Sequence, residues 1–270
     1  MIRASRLSIA SIQERLNTRL IGRKILLFPE IDSTNAELLR QAASGFPEGG
    51  VLLAESQRQG KGRLGRRWIS PPGVNLYFSI LLRPENSPFI PLVSLLSAVA
   101  ASEGIEEASG LCPKIKWPND LLLVTPAGER KTGGILLEIT SPPSRVLAVG
   151  IGVNVNLRLE QLPSEVAEGA TSLFQLLQQE VDRNQVAAEL LNRFEAWYTC
   201  LLRGEAEAIR SAWTKRSCTI GRKVRAFRSR ETITGVAEGI TTEGALVLRG
   251  DDGSTQAILA ADVIHLRDAD

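Results

Sequence analysis

The segment Gly60–Trp68 combines a glycine pattern with a high density of positive charge. It reads GKGRLGRRW, in which Gly60, Gly62 and Gly65 form the pattern G-x-G-x-x-G. Glycine lets a backbone approach a ligand closely, and guanidinium groups match the geometry of phosphate and carboxylate. The segment therefore indicates a dinucleotide-binding turn, a nucleic-acid patch or a loop around a small anion. Its basic residues are Lys61, Arg63, Arg66 and Arg67.

The flanking sequence argues against the known nucleotide-binding turns. A dinucleotide fingerprint stands between a strand and a helix, whereas Pro71–Pro72 and a second strand-like segment follow here. A kinase glycine loop requires an H-R-D segment, and the chain's one histidine is His265. A Walker A loop requires G-K-[ST], which does not occur.

Binding of nucleic-acid phosphates remains the alternative for this loop. However, Trp68 is its only aromatic residue, and a platform for stacking single strands needs more rings. The 32 Lys and Arg residues nearly balance 30 Asp and Glu, giving a formal net charge of +2. The sequence therefore favours a small anionic ligand over which the loop closes.

Three further segments carry polar chemistry, each with an ordinary structural alternative. KWPND (Lys116–Asp120) sets a cation, an aromatic ring and an amide at a strand end, although Pro-Asn-Asp is also good turn sequence. KTGGILLE places Lys131 before a glycine pair, where a lone lysine is usually solvated. GIGVNVN (Gly150–Asn156) has glycines among strand residues, where a ligand can approach the backbone. Together they indicate one site within one domain.

Composition bounds the class of protein. The 270 residues, 43% hydrophobic and 23% charged, are typical of a soluble globular chain of one or two domains. Cys112, Cys200 and Cys218 lack C-x-x-C spacing and predict reduced thiols, with neither disulfides nor a zinc site. One histidine argues against triad catalysis and multi-histidine metal sites, and His265 is predicted to be a partly buried strand residue. No apolar run is long enough to span a membrane.

Hydrophobic periodicity predicts an α+β fold, with a mixed, largely antiparallel sheet and helices to one side. A short amphipathic helix is predicted over residues 9–20, and another helix begins near Ser33. Residues 74–82 alternate as a strand, and PKIKWPNDLLLV is predicted to form a single strand.

The pattern of apolar and turn residues changes toward the end of the chain. Helical periodicity dominates residues 170–216, and short strands parted by Gly and Asp-Asp-Gly turns follow. STQAILAADVIHLR is predicted as the last of these strands. The pattern is typical of a small SH3-like β-barrel, so the predicted domains are 1–217 and 218–270.

The motifs and their order resemble those of the biotin protein ligases. The resemblance rests on STN at Ser33–Asn35, then ESQRQGKGRLGRRW, KWPND, KTGGILLE, GIGVNVN and ATSL at Ala170–Leu173. It extends into the barrel-like tail and so covers nearly the whole chain. No single motif is specific, whereas their combination and order are.

The resemblance implies a biotin/lipoate ligase-like catalytic domain, an SH3-like domain and a reaction in two steps. Biotin would attack the α-phosphate of ATP, with Mg²⁺, giving biotinyl-5′-AMP and pyrophosphate. A lysine of biotin carboxyl carrier protein, a subunit of acetyl-CoA carboxylase, would then attack the mixed anhydride. Only 32 residues precede Ser33, too few for a winged helix-turn-helix, so the implied type is ligase-only without a nucleic-acid partner. A cytoplasmic location is implied, with no membrane partner; a homodimer is compatible with the fold, although no residue pattern specifies it.

By the same resemblance, Lys131 and Arg63 are the implied catalytic residues. Lys131 would stabilise the adenylate electrostatically, and Arg63 would face the carboxylate and phosphates. The implied biotin-binding residues are Ser33, Thr34, Asn35, Gln57, Gly60, Lys61, Gly62, Arg63, Lys131, Gly133 and Gly134. The implied nucleotide-binding residues are Arg63, Arg66, Trp68, Asn119, Lys131 and Asn154. No resident metal ligand is assigned.

Lys61 departs from the family loop G-R-G-R-x-G, which has arginine at that position. A backbone contact there would tolerate the change, whereas loss of a bidentate guanidinium contact would weaken ligand retention.

Two rival functions stay open: a ligase or transferase of this fold acting on lipoate or octanoate, and a non-catalytic biotin-binding or nucleic-acid-binding module. Ser33, Thr34 and Gln57 favour biotin, and Lys131 with KWPND favours catalysis.

Overall fold

The computed structural model describes residues 6–83, 90–140, 145–228, 231–259 and 262–266. Its helices are α1 (Ile9–Gln13), α2 (Thr34–Ala43), α3 (Ile90–Ser109), α4 (Ser164–Ala167), α5 (Leu173–Leu177), α6 (Arg183–Leu202) and α7 (Ala206–Arg216). Its strands are β1 (Ile25–Phe28), β2 (Val51–Ala54), β3 (Leu76–Leu82), β4 (Lys114–Lys116), β5 (Asp120–Thr125), β6 (Gly128–Ile139), β7 (Leu147–Val153), β8 (Lys223–Arg228), β9 (Glu231–Ile240), β10 (Leu246–Arg249), β11 (Thr255–Ile258) and β12 (Asp262–His265).

The first seven strands form one mixed sheet, in the order β1-β2-β3-β7-β6-β5-β4. Strands β1 and β2 are parallel, and the remaining described pairs in this sheet are antiparallel. The predicted α+β fold with a mixed, largely antiparallel sheet is therefore confirmed. The long central pairing of β6 with β7 sets their glycines side by side, Gly134 opposite Gly152.

Both faces of the sheet are covered by helices. The alternating residues of β3 pack into the larger core with α3 and α6, as Phe78 and Ile80 illustrate. Leu81 points to the opposite face and joins a second cluster with Leu38 of α2. The prediction of helices to one side is wrong because β3 is buried on both faces, and α2 covers the second.

Two local predictions also differ from the structure. Helix α1 ends at Gln13 although apolar residues continue at helical spacing, because the following backbone bonds to α6 instead. The N–H of Asn17 donates to Asn192 Oδ1 at 2.8 Å, and that of Ile21 donates to Glu195 Oε2 at 2.7 Å. PKIKWPNDLLLV forms two antiparallel strands, β4 and β5, joined by a turn with a cis Trp117–Pro118 peptide bond.

The last five strands form a separate antiparallel sheet, in the order β11-β10-β9-β8-β12, in agreement with the predicted SH3-like unit. STQAILAADVIHLR does not form one strand, since β11 and β12 lie at opposite edges of this sheet. His265 is half-buried on β12, as predicted. The Cys218 N–H donates to Ile115 O at 2.9 Å, so the second unit begins in contact with β4.

Two further observations concern the whole described chain. The three cysteines are free: Cys112 is exposed, Cys200 is half-buried and Cys218 is buried. Among the described helices, none combines the length and apolar character that crossing a membrane requires.

Candidate active site

One cavity of about 630 Å³ gathers most of the predicted site residues. Its walls come from the glycine-basic loop Gly60–Trp68, from the Trp117–Asp120 turn, from strands β6 and β7, and from the second sheet. The predicted residues that line it are Ser33, Thr34, Asn35, Gln57, Lys61, Gly62, Arg63, Arg66, Trp68, Asn119, Lys131, Gly134 and Asn154.

Gly60 and Gly133 are not among the lining residues, and packing explains why each is glycine. A Cβ on Gly60 would lie 2.3 Å from the carbonyl oxygen of Trp68. A Cβ on Gly133 would lie 2.9 Å from the carbonyl oxygen of Gly152. Both glycines therefore permit close backbone approach directly behind the cavity wall.

One end of the cavity offers neutral polar groups. The Oε1 of Gln57 accepts hydrogen bonds from Thr34, from the backbone N–H at 2.9 Å and from Oγ1 at 3.2 Å. Gln57 Nε2 donates to Ser70 Oγ at 3.1 Å, which fixes the orientation of the amide. Ser33 is the N-cap residue of α2, yet its buried side chain makes no capping hydrogen bond. Ser33 therefore lines the cavity without a capping role for its hydroxyl.

Two predicted amides are already engaged within the protein. Asn35 accepts from Ser79 Oγ at 2.6 Å and donates from Nδ2 to Leu136 O at 3.2 Å. Asn154 donates from Nδ2 to Thr171 O at 3.0 Å and accepts from Asn75 Nδ2 at 3.4 Å. These side chains therefore brace the wall of the cavity, whichever additional contact a ligand makes.

The glycine-basic loop folds back on itself. The N–H of Trp68 donates to Gly60 O at 2.8 Å, and that of Gly62 donates to Arg66 O at 2.7 Å. The short 3₁₀ turn Arg63–Gly65 at its tip replaces the helix that a dinucleotide fingerprint requires. Leu64 has φ 54° and is 71% exposed, a left-handed conformation that costs about 1–2 kcal/mol outside glycine.

Contacts from the loop already reach across the cavity. Lys61 Nζ donates to Glu138 Oε1 on β6 at 3.2 Å. Arg63 Nη1 donates to Asn119 Oδ1 in the Trp117–Asp120 turn at 3.4 Å. The departure from arginine at Lys61 thus leaves a cation that pairs with the sheet. Two side chains of the loop therefore hold it to β6 and to the Trp117–Asp120 turn.

Lys131 and Trp68 lie beside Gly134 and Gly152, which form the floor of the cavity. Lys131 Nζ lies 2.5 Å from Asp120 Oδ1 and 5.3 Å from the centre of the Trp68 ring. A Cβ on Gly152 would lie 2.8–2.9 Å from three ring atoms of Trp68, so only glycine permits this packing. The ring's Nε1 is buried without a hydrogen-bond partner among the described residues. Lys131, Asp120 and Trp68 therefore form one cluster of side chains beside the backbone of these glycines.

The charge of the cavity contrasts with that of the chain. Among the described residues that line it are six cationic side chains and a single carboxylate, that of Asp120, although the whole chain has a formal net charge of only +2. Such local concentration of one sign attracts polyanions and stabilises negative charge that develops in a reaction. The cations are Lys61, Arg63, Arg66, Arg67, Lys116 and Lys131.

Sequence reasoning missed several lining residues. Asp120 lies within the KWPND motif, but the motif alone did not show that its carboxylate would pair with Lys131. Tyr77 also lines the cavity; burial raises the pKa of its phenol above the usual range, and the hydroxyl donates to Pro71 O at 3.1 Å. No local signal marked the apolar residues that the second sheet contributes, which are Phe227, Val263 and Ile264.

Within the described part of the chain, one other group has the donor atoms of a metal site. Ligand atoms of Glu129, Cys218 and His265 lie within 4.8 Å of one another. Arg222 already occupies this position, donating to both Glu129 oxygens at 2.6 and 2.8 Å and contacting His265 Nδ1 at 3.1 Å. Burial lowers the pKa of His265 to about 4 and raises that of the Cys218 thiol to about 11. The cluster therefore carries its own cation, and we assign no metal to it.

Comparison with known families agrees with this arrangement. The model of the biotin/lipoate A/B protein ligase family matches residues 27–156, and that of the biotin protein ligase C-terminal domain matches residues 219–266. The bifunctional ligase/repressor BirA of Bacillus subtilis is 36% identical over 96% of this chain and 79% of its own length. The biotin–[acetyl-CoA-carboxylase] ligase of Mycobacterium tuberculosis is 34% identical over 94% of this chain and 96% of its own.

A solved structure supports the same relationship. The biotin protein ligase of Aquifex aeolicus, in complex with biotin and ATP, aligns with a TM-score of 0.80 and 28% identity. The alignment covers 90% of this chain and 100% of the Aquifex chain. Sequence, fold and cavity thus agree, and the chain belongs to the biotin protein ligase family.

Proposed function

We propose that this chain is an ATP-dependent biotin protein ligase, which forms biotinyl-5′-AMP with release of pyrophosphate and then transfers biotin to a lysine of biotin carboxyl carrier protein. The observation that carries the proposal is the cavity itself, with a neutral polar end at Ser33 and Gln57 and a cationic lining around Lys131. A neutral ureido ring suits the first end, and a polyphosphate suits the second.

The first step brings a carboxylate toward a polyphosphate, and the two repel each other. Cationic groups aimed at the reacting oxygens lower this barrier. Lys131 extends from a strand whose backbone is fixed at that residue, since its N–H donates to Gly169 O at 2.9 Å and its carbonyl accepts from Thr171 N at 2.8 Å. Lys131 is therefore preorganised, and we assign it the role of electrostatic catalyst without a covalent intermediate.

Mg²⁺ enters with ATP as part of the substrate. The ion prefers oxygen ligands and is commonly held by one or two carboxylates together with phosphate oxygens. Asp120 supplies the carboxylate in the lining of the cavity, and the side-chain oxygen of Asn119 lies on the same turn. These residues suit MgATP, and we assign Asp120 to hold the ion. The charge on Mg²⁺ would neutralise the phosphates.

The product of the first step is a mixed anhydride that water destroys. A closed loop excludes water from such an intermediate. The loop contacts of Lys61 with Glu138 and of Arg63 with Asn119 serve this purpose. The acceptor lysine must then reach the acyl carbon through an opening of the cavity.

Other features belong to the same proposal. Residues 1–217 form the catalytic domain and residues 218–270 the C-terminal domain. The ligand-binding residues are those assigned above by resemblance. We place the protein in the cytoplasm, without a nucleic-acid or membrane partner, and a homodimer is compatible with its fold.

Biotin-dependent ATP–pyrophosphate exchange with Mg²⁺ tests the proposal. We expect exchange with biotin and none with lipoate or octanoate. Exchange with lipoate instead would identify lipoate as the acid substrate and leave the proposed mechanism unchanged. If no acid supports exchange, the cavity only binds its ligand, and the catalytic role of Lys131 is wrong.

A further inference from the structure

A hydrogen-bonded chain joins the C-terminal sheet to the turn that carries Asn119 and Asp120. Thr219 is fully buried, and its Oγ1 accepts the backbone N–H of Trp117 at 3.0 Å. The same oxygen lies 3.1 Å from His265 Nε2. One hydroxyl thus connects β12 to the residue that begins the turn. The indole Nε1 of Trp117 also donates to this unit, to Gly244 O at 3.3 Å.

The charges around His265 determine which nitrogen donates. Arg222 Nη1, which can only donate, lies 3.1 Å from Nδ1, so Nδ1 accepts and the proton lies on Nε2. The ring therefore donates from Nε2 to Thr219. Arg222 is held in turn by its two hydrogen bonds to Glu129. Burial, together with the positive charges of Lys116 and Arg222, lowers the pKa of His265 to about 4 although Glu129 acts in the opposite direction, so the ring is neutral near pH 7.

The turn that is held in this way carries two groups of the cavity. Asn119 Nδ2 donates to Ile135 O at 2.7 Å, and its Oδ1 accepts from Arg63. Asp120 pairs with Lys131. Movement of Trp117 would therefore shift Asn119, the partner of Arg63, together with Asp120, the partner of Lys131. None of these contacts involves the neutral end of the cavity at Gln57.

We propose that Thr219, oriented by its hydrogen bond with His265, is a positioning residue for adenylate formation: it fixes the Trp117–Asp120 turn and thereby aligns Asn119 and Asp120 in the cavity. The inference rests on the proposed function and extends it to residues that do not contact substrate. It explains why the C-terminal unit is built against the edge of the first sheet at this turn.

The test compares variants that separate positioning from stability. Thr219→Val keeps the shape of the side chain and removes the hydroxyl, whereas Thr219→Ser keeps the hydroxyl. Thr18→Val is the matched control, because Thr18 is also buried and bonded, donating to Ile21 O at 2.6 Å, but does not line the cavity. For each variant, exchange rate, KM for ATP, biotin affinity and thermal unfolding are measured.

We expect Thr219→Val to slow exchange by about 10- to 100-fold, the size of effect that a misplacement of about 1 Å produces. Biotin affinity should stay unchanged, Thr219→Ser should restore the rate, and Thr18→Val should lower stability alone. A Thr219→Val protein with the wild-type rate, or a rate loss equal to that of Thr18→Val, would overturn the proposal.

A second pair of variants keeps the test decisive, and the wild-type activity separates failure of the proposed function from failure of the positioning role. If Thr219→Val does not fold, His265→Phe and His265→Gln decide instead, since only glutamine keeps a donor for Thr219. Equal rates in these two variants would also overturn the proposal. A wild-type chain without biotin-dependent exchange would defeat the proposed function, whereas an active wild type with active Thr219→Val and His265→Phe variants defeats the positioning role alone.

Discussion

Replacing Lys131 by methionine should separate catalysis from stability more clearly than any other single change. Methionine keeps an unbranched apolar stem of similar length and removes only the cation. The variant loses the contact with Asp120 at 2.5 Å and the position over the Trp68 ring at 5.3 Å. We expect adenylate formation to fall steeply while the protein stays folded.

The two magnitudes follow from the exposure of the site. The side chains of Lys131 and Asp120 are 35% and 27% exposed, and ion pairs near the surface contribute about 0.2–1 kcal/mol to stability. The cation–π contact adds about 0.5–1 kcal/mol. In contrast, removal of one preorganised donor to developing negative charge costs about 2.7–4 kcal/mol of barrier, or about 10²- to 10³-fold in rate. The rate should therefore change far more than the stability.

The assay is ATP–pyrophosphate exchange at saturating biotin and ATP, with biotin affinity and thermal unfolding measured alongside. Lys223→Met is the matched control: Lys223 is 46% exposed, pairs with Asp251 at 3.3 Å and does not line the cavity. It should lose no activity. A loss below about fivefold for Lys131→Met, where removal of a preorganised donor should cost far more, or a rate loss explained by unfolding, would refute the electrostatic role.

Three further predictions test the loop, the floor and the second unit. Arg63→Gly removes the loop's contact with the turn and should release biotinyl-5′-AMP into solution; release equal to wild type, measured in the filtrate, contradicts this. Gly152→Ala places a Cβ 2.8 Å from the Trp68 ring and should raise the KM for ATP by about tenfold or more, whereas Gly239→Ala, with nothing within 4 Å, should not. His265 has a pKa of about 4 in the fold against 6.5 as its usual value, so the unfolded chain binds the proton first as pH falls. Its contribution to the free energy of unfolding is complete above about pH 6.5 and is lost toward pH 4, by about 3 kcal/mol. Urea unfolding of His265→Gln should therefore show a flatter pH dependence than that of the wild type; parallel curves would contradict the assignment.

Local signals predicted strand β3 and the character of the loop correctly. The alternation of β3 and the residues after Trp68 are properties of neighbouring residues, and they excluded a dinucleotide-binding turn correctly. The end of α1 was not predictable in this way. Its apolar spacing continues, but backbone N–H groups at Asn17 and Ile21 find partners in α6, some 175 residues away, and these tertiary bonds decide where the helix ends.

The candidate site shows the same division. The motifs around Lys131 could be interpreted only in combination, because each one alone has an ordinary structural alternative. The pairing of Lys131 with Asp120 depends on the β4–β5 hairpin, which the apolar Trp117 and Pro118 concealed within a strand-like run. The contribution of the second sheet to the cavity depends on docking between units, for which no local pattern exists.

The concentration of positive charge in the cavity has a consequence for how the two small substrates respond to ionic strength. Mobile ions screen the field of the lining cations beyond about 8 Å in physiological salt, and the rest of the chain adds little to this field, since the formal net charge is only +2. Within that range, ATP carries several negative charges and biotin a single one. Added salt should therefore weaken the binding of ATP far more than the binding of biotin. The affinity for the nucleotide is then the property of the enzyme that depends on ionic strength.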